Sequence, residues 1–540
     1  MPAAMTRNMA VVHLRGSRSH GWLRQSAWMA TTVAALMFLS LNGGQKACAQ
    51  TVTFTVIHHF TGTDGVGPMG VLVMDTSGNL YGTTNEGGAA GFGTVFKIDP
   101  SGDETVLHDF TGGTDGRGTL AGVVRDASGN LYGTTWGGGS SGYGTVFKID
   151  FSGNFGVLHS FNGADGAWPA GLVQDALGNL YGTTEYGGSG NYGTIFKISP
   201  SGIAMVIHHF TGGSDGASPS GLVMDSSGSL YATSSGGGSA GRGTVFKIDA
   251  AGNESVLYSF SGADGVPTGA LVLDTSGNLY GATVDGGAEG FGTVFKIDAS
   301  GNESVLHSFN ETGGVDGSAP NGGLVLDDSG NLYGTTSMGG TGLWGRGTVF
   351  RIDSSGNETV LHNFIGESDG VCPQAGLMWD AAGNLYGPAT AGGSAGYGTV
   401  FKISFPVPFS SFDAKLNIAA GSRRGFDLQA FFTPGADLHA PILQGTGSGP
   451  IDPVAQGMTL AVGTYTVTIP PSSFHQTKKG WWVYEGKING VSLDVRISQR
   501  GVNPYELQFE TSGVDLTSLP NPVTVTLTLG NNNGTTEVNQ

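Results

Sequence analysis

The chain has 540 residues, of which 97 are glycine and only 12% are charged, and its formal net charge is −18. This composition argues against helical bundles and disordered acidic chains, and it favours tight turns and packed β-sheets. The negative charge makes nucleic acid and anionic membrane surfaces poor partners, so neither is expected.

Residues 1–49 have the features of a signal peptide. Four arginines precede an apolar stretch from about residue 27 to 41, and the small residues of Ala47-Cys48-Ala49 predict cleavage after Ala49. The alternative is a membrane anchor, but the stretch is shorter than the ~20 residues that span a bilayer. We therefore expect a secreted or cell-surface protein, or a periplasmic one, with no transmembrane segment in the mature chain.

Cleavage would lower the formal charge to −23 and leave Cys372 as the only cysteine. An intramolecular disulfide is then impossible, although the protein would be exported. We expect the mature chain to be a monomer stabilised by strand pairing.

Residues 50–404 repeat one phrase, close to GNLYGTT-x-x-GG-x-x-G-x-GTVFKID, seven times. Steps of 49 to 53 residues separate its tyrosines, which define repeats 1 to 7: Tyr81, Tyr132, Tyr181, Tyr231, Tyr280, Tyr333 and Tyr386. This period is typical of propeller blades and too long for most solenoid coils.

Each repeat carries four short patterns typical of strands, which we call A, B, C and D. Examples are GLVMD at 221–225, NLYGTT at 179–184, GTVFKID at 144–150 and SVLHSF at 304–309. Ser-Gly-Asn turns, a glycine-rich B-to-C loop and a Gly-Asp-Gly-type D-to-A loop separate them. The pattern predicts a four-stranded antiparallel meander in each repeat.

The D strands end at seven phenylalanines: Phe60, Phe110, Phe161, Phe210, Phe260, Phe309 and Phe364. One D strand therefore precedes the first A strand, and none follows the last C strand at 398–404. Residues 53–60 can supply the missing outer strand, which would leave no unpaired edge. We predict an all-β fold, a seven-bladed β-propeller closed by its N-terminal strand.

The repeated phrase resembles the tandem repeat known as GloVer, the Gloeobacter/Verrucomicrobia-type repeat of exported bacterial proteins, over roughly residues 54–404. The A and B strands, as in GLVMDSSGSLYAT, also look like NHL and SMP-30 propeller blades. The resemblance implies a secreted or surface-displayed protein with a variable C-terminal extension, and it implies no defined activity.

Residues 405–540 differ in composition from the repeats. Phe405-Pro406-Val407-Pro408 is typical of a short stiff linker. Strand-like runs then occupy 412–418, 425–432, 458–469, 481–488, 491–498, 505–510 and 522–529, before a polar tail after Gly530. This spacing predicts a small β-sandwich or barrel. Trp481, Trp482 and Tyr484 fit core or edge packing, with ligand binding as the alternative.

A histidine recurs two residues before the D-strand phenylalanine, at His58, His108, His159, His208, His307 and His362, with Tyr258 in the remaining repeat. In a propeller these outer-strand positions lie more than ~15 Å apart, too far to share one metal ion. We expect them to be hydrogen-bonding residues packed between blades.

An aspartate followed by glycine recurs in the D-to-A loop, at Asp64, Asp115, Asp165, Asp215, Asp264, Asp316 and Asp369. Such pairs commonly cap turns by accepting backbone N–H bonds. Calcium is the alternative, but one carboxylate per loop is few for a site. No metal and no cofactor are therefore predicted. The basic residues of strand C, such as Lys148 and Lys247, are expected to pair with acids of the repeats.

Binding is expected where repeats differ, on the face that carries the B-to-C and D-to-A loops. Repeats 2 and 3 depart most from the consensus, and the candidate ligand-binding residues are Trp136, Trp168, Glu185, Tyr186, Tyr143 and Tyr192. Aromatic faces beside a carboxylate can stack on sugars. For Tyr143 and Tyr192 the alternative is a structural slot, which Phe92, Phe291 and Tyr397 fill in other repeats.

The sequence contains no G-x-S-x-G elbow, H-E-x-x-H or P-loop motif, and no catalytic residue is predicted. We predict a noncatalytic repeat protein that binds an extracellular polysaccharide or a surface protein, or that serves as a surface scaffold. The alternative is a carbohydrate-active hydrolase or lyase, in which acidic residues such as Glu185 and Asp165 would act as a pair.

Overall fold

The computed structural model describes residues 52–310, 316–341 and 346–405, and in the C-terminal region 407–408, 411–419, 425–433, 458–462, 465–470, 473–477, 481–488, 491–499, 505–512, 523–529 and 532–538. All the regular secondary structure in these ranges is β-strand, which confirms the predicted all-β class. No helix among these residues is long and apolar enough to cross a bilayer. The predicted signal peptide, 1–49, lies outside the described residues.

Strand β1 (Thr53–His59) precedes the first repeat. Repeat 1 then forms β2 (Val66–Pro68), β3 (Val73–Met74), β4 (Leu80–Glu86), β5 (Thr94–Ile98) and β6 (Glu104–Asp109). Repeat 2 forms β7 (Val124–Arg125), β8 (Leu131–Thr135), β9 (Thr145–Ile149) and β10 (Phe155–Ser160). Repeat 3 forms β11 (Ala167–Gln174), β12 (Leu180–Tyr186), β13 (Thr194–Ile198) and β14 (Ala204–His209).

Repeat 4 forms β15 (Ala217–Met224), β16 (Leu230–Gly236), β17 (Thr244–Ile248) and β18 (Glu254–Ser259). Repeat 5 forms β19 (Pro267–Leu273), β20 (Leu279–Thr283), β21 (Thr293–Ile297) and β22 (Glu303–Ser308). Repeat 6 forms β23 (Ser318–Pro320), β24 (Val325–Leu326), β25 (Leu332–Met338), β26 (Thr348–Ile352) and β27 (Glu358–Asn363). Repeat 7 forms β28 (Met378–Trp379), β29 (Leu385–Ala389) and β30 (Thr399–Ser404).

Within each repeat, neighbouring strands along the chain pair antiparallel, in the predicted order A, B, C and D. In repeats 1 and 6 the A strand consists of two pieces, and both pieces pair with the same B strand. The predicted four-stranded antiparallel meanders are thus confirmed, and they give a propeller-like arrangement of small sheets.

The B and C strands form the buried centre of each sheet. Strand C reads TVFKI in most repeats, and only its lysine is not fully buried. The strand B residue opposite this phenylalanine is small: a Cβ on Gly82 would lie 2.4 Å from the ring of Phe96, and repeat 4 has the buried Ala232 at this position.

The D-strand phenylalanines join each sheet to the next one. Phe110 of repeat 1 meets Phe147 of repeat 2 edge-to-face, with ring centroids 5.4 Å apart. The same contact recurs at 5.0 to 5.3 Å in the pairs Phe161–Phe196, Phe210–Phe246, Phe260–Phe295, Phe309–Phe350 and Phe364–Phe401. Each closing phenylalanine is at most 1% exposed, so these contacts lie in the core.

Strand β1 occupies the D position of the repeat 7 sheet. It pairs antiparallel with β30, from Thr53 opposite Ser404 to His59 opposite Thr399. Phe60, at its end, packs edge-to-face on Phe96 of repeat 1, at 5.1 Å.

The C-terminal region forms two sheets. One contains β31 (Val407–Pro408), β34 (Met458–Val462), β35 (Tyr465–Ile469), β40 (Val523–Leu529) and β41 (Asn532–Val538). The other contains β32 (Ser411–Ala419), β33 (Gly425–Thr433), β36 (His475–Gln476), β37 (Trp482–Ile488), β38 (Val491–Gln499) and β39 (Tyr505–Ser512). One apolar core, including Leu460 and Leu527 of the first sheet and Val495 and Phe509 of the second, is shared by both.

Two details differ from the sequence expectations for this region. The segment expected to be a polar tail contains β41, which pairs along its whole length with β40. Phe405, expected in the linker, is 7% exposed and packs at 5.7 Å from the rings of Tyr333 and Trp379. The core of the last repeats therefore extends one residue beyond the predicted boundary.

Candidate functional site

The site is built on a backbone feature that recurs where the D-to-A loop meets strand A. Three residues after the recurrent aspartate, six repeats place a residue with φ between +52° and +66°: Gly67, Gly118, Trp168, Ser218, Ala319 and Cys372. The N–H group of each donates a hydrogen bond of 2.9 to 3.0 Å to a carbonyl of the preceding repeat. This conformation thus holds each D-to-A loop against the neighbouring B-to-C loop.

Trp168 is the bulkiest residue at this position. Its φ is +60°, its N–H group donates to the carbonyl of Tyr143 at 3.0 Å, and the residue is 42% exposed. A left-handed backbone costs a residue with a Cβ roughly 1–2 kcal/mol relative to the right-handed region. Folding alone would favour glycine here, as in repeats 1 and 2.

Three of the predicted side chains form one continuous aromatic row. The ring centroids of Trp136 and Trp168 are 5.8 Å apart, and those of Trp168 and Tyr186 are 4.9 Å apart. Both pairs are edge-to-face, at 85° and 82°. Trp136 directly follows strand B of repeat 2, whereas Trp168 and Tyr186 belong to strands of repeat 3, so the row crosses from one sheet to the next.

Glycines shape the Trp136 end of the row. Gly118 lies directly under the indole, where a Cβ would come 1.9 Å from Nε1 of Trp136. The N–H group of Trp136 donates to the carbonyl of Gly118 at 2.9 Å, which ties the strand end to its own D-to-A loop. An L side chain at position 118 would displace the indole.

Arg117 belongs to this site and was not among the sequence candidates. Its guanidinium carbon lies 5.0 Å from the ring centroid of Trp136. The other repeats have small or apolar residues at this position: Val66, Ala167, Ala217, Val266, Ser318 and Val371. The unique charge at an otherwise uncharged position was the signal that could have identified it.

Glu185 is next to Tyr186 in the chain, at the opposite end of the row. Its negative charge raises the pKa of Tyr186, and partial burial adds to the shift. The carboxylate of Asp165, its partner in the hydrolase hypothesis, instead accepts hydrogen bonds from the backbone N–H of Asn162 at 2.9 Å and contacts His159 Nε2 at 2.9 Å.

Tyr143 and Tyr192 lie elsewhere in the B-to-C loops. Each ring covers a glycine of the next repeat, where an added Cβ would lie 3.4 Å and 2.5 Å from the ring respectively. Phe92 covers Gly112 and Tyr397 covers Gly62 in the same manner. These contacts agree with the alternative predicted from the sequence, in which Tyr143 and Tyr192 fill a structural position that other repeats also fill with an aromatic residue.

The recurrent histidines and aspartates, which the sequence treated as two sets, contact each other. His Nε2 and Asp Oδ2 lie 2.9 to 3.7 Å apart in the pairs His58–Asp64, His108–Asp115, His159–Asp165, His208–Asp215, His307–Asp316 and His362–Asp369. In the remaining repeat the hydroxyl of Tyr258 donates to Asp264 at 3.0 Å. Burial lowers the pKa of His108, His208, His307 and His362, and the aspartates offset part of this effect.

The next sheet covers these pairs with a residue near the start of its D strand, six positions before the phenylalanine that ends the strand. Phe155 stacks on His108 at 3.7 Å, and Phe54 stacks on His362 at 3.6 Å. Other repeats have Glu104, Glu254, Glu303 or Glu358 at this position. Burial, with the nearby aspartates, raises the pKa of all four, to about 7 for Glu104 and Glu358. The histidines are therefore packed between sheets, as expected.

The aspartates also act as turn caps, as predicted. Asp64 accepts from the N–H of Thr61 at 2.8 Å, and Asp115 accepts from that of Thr111 at 2.9 Å. Among the described residues, no three His, Cys, Asp or Glu side chains converge in a way that could hold a metal ion.

The strand C lysines contact aromatic rings, which the sequence did not predict. The ammonium groups of Lys148, Lys197, Lys247, Lys296 and Lys402 lie 5.1 to 5.6 Å from the ring centroids of strand B tyrosines, and they make cation–π contacts across the paired strands. The expected interaction with acids of the repeats is limited to charge: Lys148 and Lys296 contribute to the lowered pKa of Asp150 and Asp298, after the hydrogen bonds from Asn154 and Asn302.

A cavity of about 740 Å³ is lined by the A strands and adjacent loops of all seven repeats. Its lining includes Met69, Leu120, Ala170, Gly221, Ala270, Asn321 and Ala375. The lining of this cavity is mostly apolar.

A profile of the Gloeobacter/Verrucomicrobia repeat matches three overlapping stretches, residues 45–227, 105–272 and 218–415, which together cover more than half of the chain. The likeness of the blades to NHL and SMP-30 propellers stays a prediction. No curated protein matches the chain by sequence.

Similar solved structures include PorZ, a surface component of the type IX secretion system of Porphyromonas gingivalis, with 13% identity and a TM-score of 0.41 over 81% of this chain. The chain spans 58% of the PorZ chain. An ulvan lyase of family PL25 has 10% identity and a TM-score of 0.39, over 64% of this chain and 94% of the lyase. Trypanosoma rangeli sialidase has 9% identity and a TM-score of 0.33, over 90% of this chain and 97% of the sialidase.

Proposed function

We propose that this chain, which belongs to the Gloeobacter/Verrucomicrobia repeat family, is a noncatalytic extracellular protein that binds a glycan through the aromatic row of Trp136, Trp168 and Tyr186. The observation that carries the proposal is Trp168, a large aromatic residue that is 42% exposed and has a φ of +60°. Ser218, Ala319 and Cys372 share this backbone conformation, so what distinguishes repeat 3 is the large exposed aromatic side chain at this position.

The composition of the row fits a sugar better than a small charged metabolite. Indole and phenol rings present apolar faces with polar edges, which match the faces and hydroxyl rim of a pyranose. The row lies at strand ends, where β8 and β12 end and β11 begins, next to the connecting loops in which binding residues are commonly placed.

A glycan array and a set of insoluble polysaccharides, screened with residues 50–540 in the presence and absence of calcium, test this proposal. The double variant Trp136→Ala with Trp168→Ala should abolish binding and leave the melting temperature within a few degrees. Tyr397→Ala is the matched control, because Tyr397 is also 42% exposed but lies in repeat 7. Binding that survives the double variant would exclude the row as the site.

A carbohydrate-active enzyme is the second candidate, because Glu185 places a carboxylate beside the row. Such an enzyme would release product from a polysaccharide, and Glu185→Gln would abolish the release. A bound polysaccharide that is recovered intact after prolonged incubation would support the noncatalytic proposal.

We further propose that the seven sheets form a seven-bladed propeller closed by β1. Three observations support closure: the pairing of β1 with β30, the Phe60–Phe96 contact, and the hydrogen bond from Gly67 N–H to the Tyr397 carbonyl at 3.0 Å. The pairing is the one that strands C and D make within other repeats, and the other two contacts join neighbouring repeats elsewhere. Deleting residues 50–60 should lower the melting temperature sharply and cause aggregation; an unchanged melt would contradict closure.

Export is part of the same proposal. We expect cleavage after Ala49 and a secreted or surface location, with the periplasm as the alternative. Intact mass of the protein recovered from the medium or envelope tests this, since an uncleaved N-terminus would contradict it.

A further inference from the structure

We propose that the ligand of the aromatic row is an anionic glycan, bearing carboxylate or sulfate ester groups, and that Arg117 binds one of these groups. This inference rests on the proposed function, because it names the substrate class of the same site. Three observations on Arg117 support the inference: its position beside the row, its contact with Trp136, and the absence of a carboxylate within 4.0 Å of its guanidinium among the described residues.

Arg117 is held beside the row by its backbone. Its N–H group donates to the carbonyl of Gly137 at 2.9 Å, and the N–H of Gly137 donates back to its carbonyl at 3.2 Å. Gly137 also makes room for the side chain, because a Cβ there would lie 2.8 Å from Nε of Arg117. The side chain is thereby directed along the strand end toward Trp136, where the guanidinium lies 5.0 Å from the ring centroid.

The guanidinium of Arg117 has no carboxylate within 4.0 Å among the described residues, and the residue is exposed. Arg496, the other exposed arginine among the described residues, pairs with Asp494 at 2.8 Å, and the half-buried Arg242 pairs with Asp285 at 3.1 Å. In a chain with a net charge of −18, an arginine without a carboxylate partner is available to a ligand here, beside the half-buried Trp136 and the exposed Trp168. A guanidinium binds carboxylate and sulfate oxygens through two parallel N–H donors.

Charge also gives the row a direction. Arg117 flanks Trp136 at one end, and Glu185 is next to Tyr186 at the other. An anionic group would be attracted at the Trp136 end and repelled at the Tyr186 end. A glycan chain should therefore bind with its acidic group over Trp136 and Arg117 and with a neutral sugar face toward Trp168 and Tyr186.

Matched pairs of polysaccharides test the inference at about 0.15 M salt. Polygalacturonate is compared with its methyl ester, alginate with carboxyl-reduced alginate, and a sulfated fucan with its desulfated form. The proteins are wild type, Arg117→Gln, Trp136→Ala with Trp168→Ala, and Arg242→Gln, which makes the same charge change at an arginine already paired with Asp285.

The expected result is tighter binding of one acidic polymer than of its neutralised form. Arg117→Gln should weaken that binding roughly tenfold and remove the preference, because charge-assisted hydrogen bonds are lost. Arg242→Gln should change neither. The polymer pair that shows the preference distinguishes carboxylate from sulfate.

Three outcomes would overturn the inference. Equal binding of acidic and neutralised forms, unchanged in Arg117→Gln, would reject the anionic ligand and leave the proposed glycan site standing. A preference for the acidic form that survives Arg117→Gln would reject the role of Arg117. No binding by any polymer, or binding that survives the double tryptophan variant, would reject the proposed function together with this inference.

Discussion

Trp168 has a φ of +60°, a backbone conformation that is unfavourable for a residue with a Cβ atom. The same position is Gly67 in repeat 1 and Gly118 in repeat 2, and all three have a positive φ. The N–H group must point to the preceding repeat in each case, so the conformation belongs to the scaffold. Only the side chain is free to vary, and in repeat 3 it is a tryptophan between two other aromatic rings.

Two substitutions at this residue separate strain from aromatic packing. Both Trp168→Gly and Trp168→Ala remove the ring, but only alanine keeps a Cβ at φ +60°. We expect the glycine variant to be more stable than the alanine variant by about 1 kcal/mol, and both to lose ligand binding. Urea unfolding followed by tryptophan fluorescence measures the difference. Equal stability would show that the left-handed conformation relaxes in the variants.

At the scale of the strand, β1 makes the same aromatic contacts as the D strand of repeat 2. Phe54 stacks on His362 at 3.6 Å and contacts Phe364 and Phe401. Phe155 of repeat 2 stacks on His108 at 3.7 Å and contacts the equivalent pair of phenylalanines. A strand separated from its sheet by the whole repeat region thus has the same environment as a strand joined by a short turn.

This equivalence predicts equal energetic costs. Phe54→Ala and Phe155→Ala should each lower the free energy of unfolding by about 2 kcal/mol, less than for a fully buried phenylalanine because both rings are half-buried. Thermal unfolding of the two variants provides the comparison. If Phe155→Ala destabilises the protein and Phe54→Ala does not, β1 does not pair with β30 in solution.

The contact between the sheets of repeats 5 and 6 should be sensitive to pH. Burial, with the charge of Asp316, raises the pKa of Glu358 from 4.5 to about 7. The folded state therefore binds this proton more tightly than the unfolded state. The stabilising contribution is fully present below about pH 4.5 and is lost as the pH rises through about 7. His307, whose pKa burial lowers, contributes stability above its unfolded value of 6.5 and loses it as the pH falls.

The Glu358→Gln variant has no titrating carboxyl group at this position, and it keeps His307 unchanged. We expect the variant to be more stable than wild type by about 1 kcal/mol near pH 8, after allowance for solvent screening of a half-buried group, and to match it near pH 4.5. The exposed Glu289, changed to glutamine, is the control. Melting temperatures of the variant and the wild type across this pH range test the prediction. A difference between the two proteins that does not change with pH would contradict it.

For the whole molecule, the end of the repeat region is set by packing rather than by the repeated phrase. The phrase ends at Ser404, but Phe405 is buried against Tyr333 and Trp379. A chain of residues 50–408 should therefore melt several degrees above a chain of residues 50–404, and both should bind the same glycan because the row lies in repeats 2 and 3. Equal melting temperatures would show that Phe405 contributes nothing measurable.

The sequence by itself determined the all-β class, the four-stranded units and the family, because these depend on local alternation, turn residues and a fixed period. It also identified Trp136, Trp168 and Tyr186 as departures from the consensus. It missed β41, since its polar residues carry no apolar alternation and its pairing depends on β40.

Only the tertiary structure decided which of these residues meet. Trp136 and Trp168 are 32 positions apart in the sequence, and their contact depends on how two sheets pack. The contacts between the histidines and the aspartates also depend on the tertiary structure, because the D-to-A loop folds back on its own D strand. Arg117 joined the site because two backbone hydrogen bonds and a glycine direct it toward Trp136, and contacts of this kind are not encoded in residue spacing.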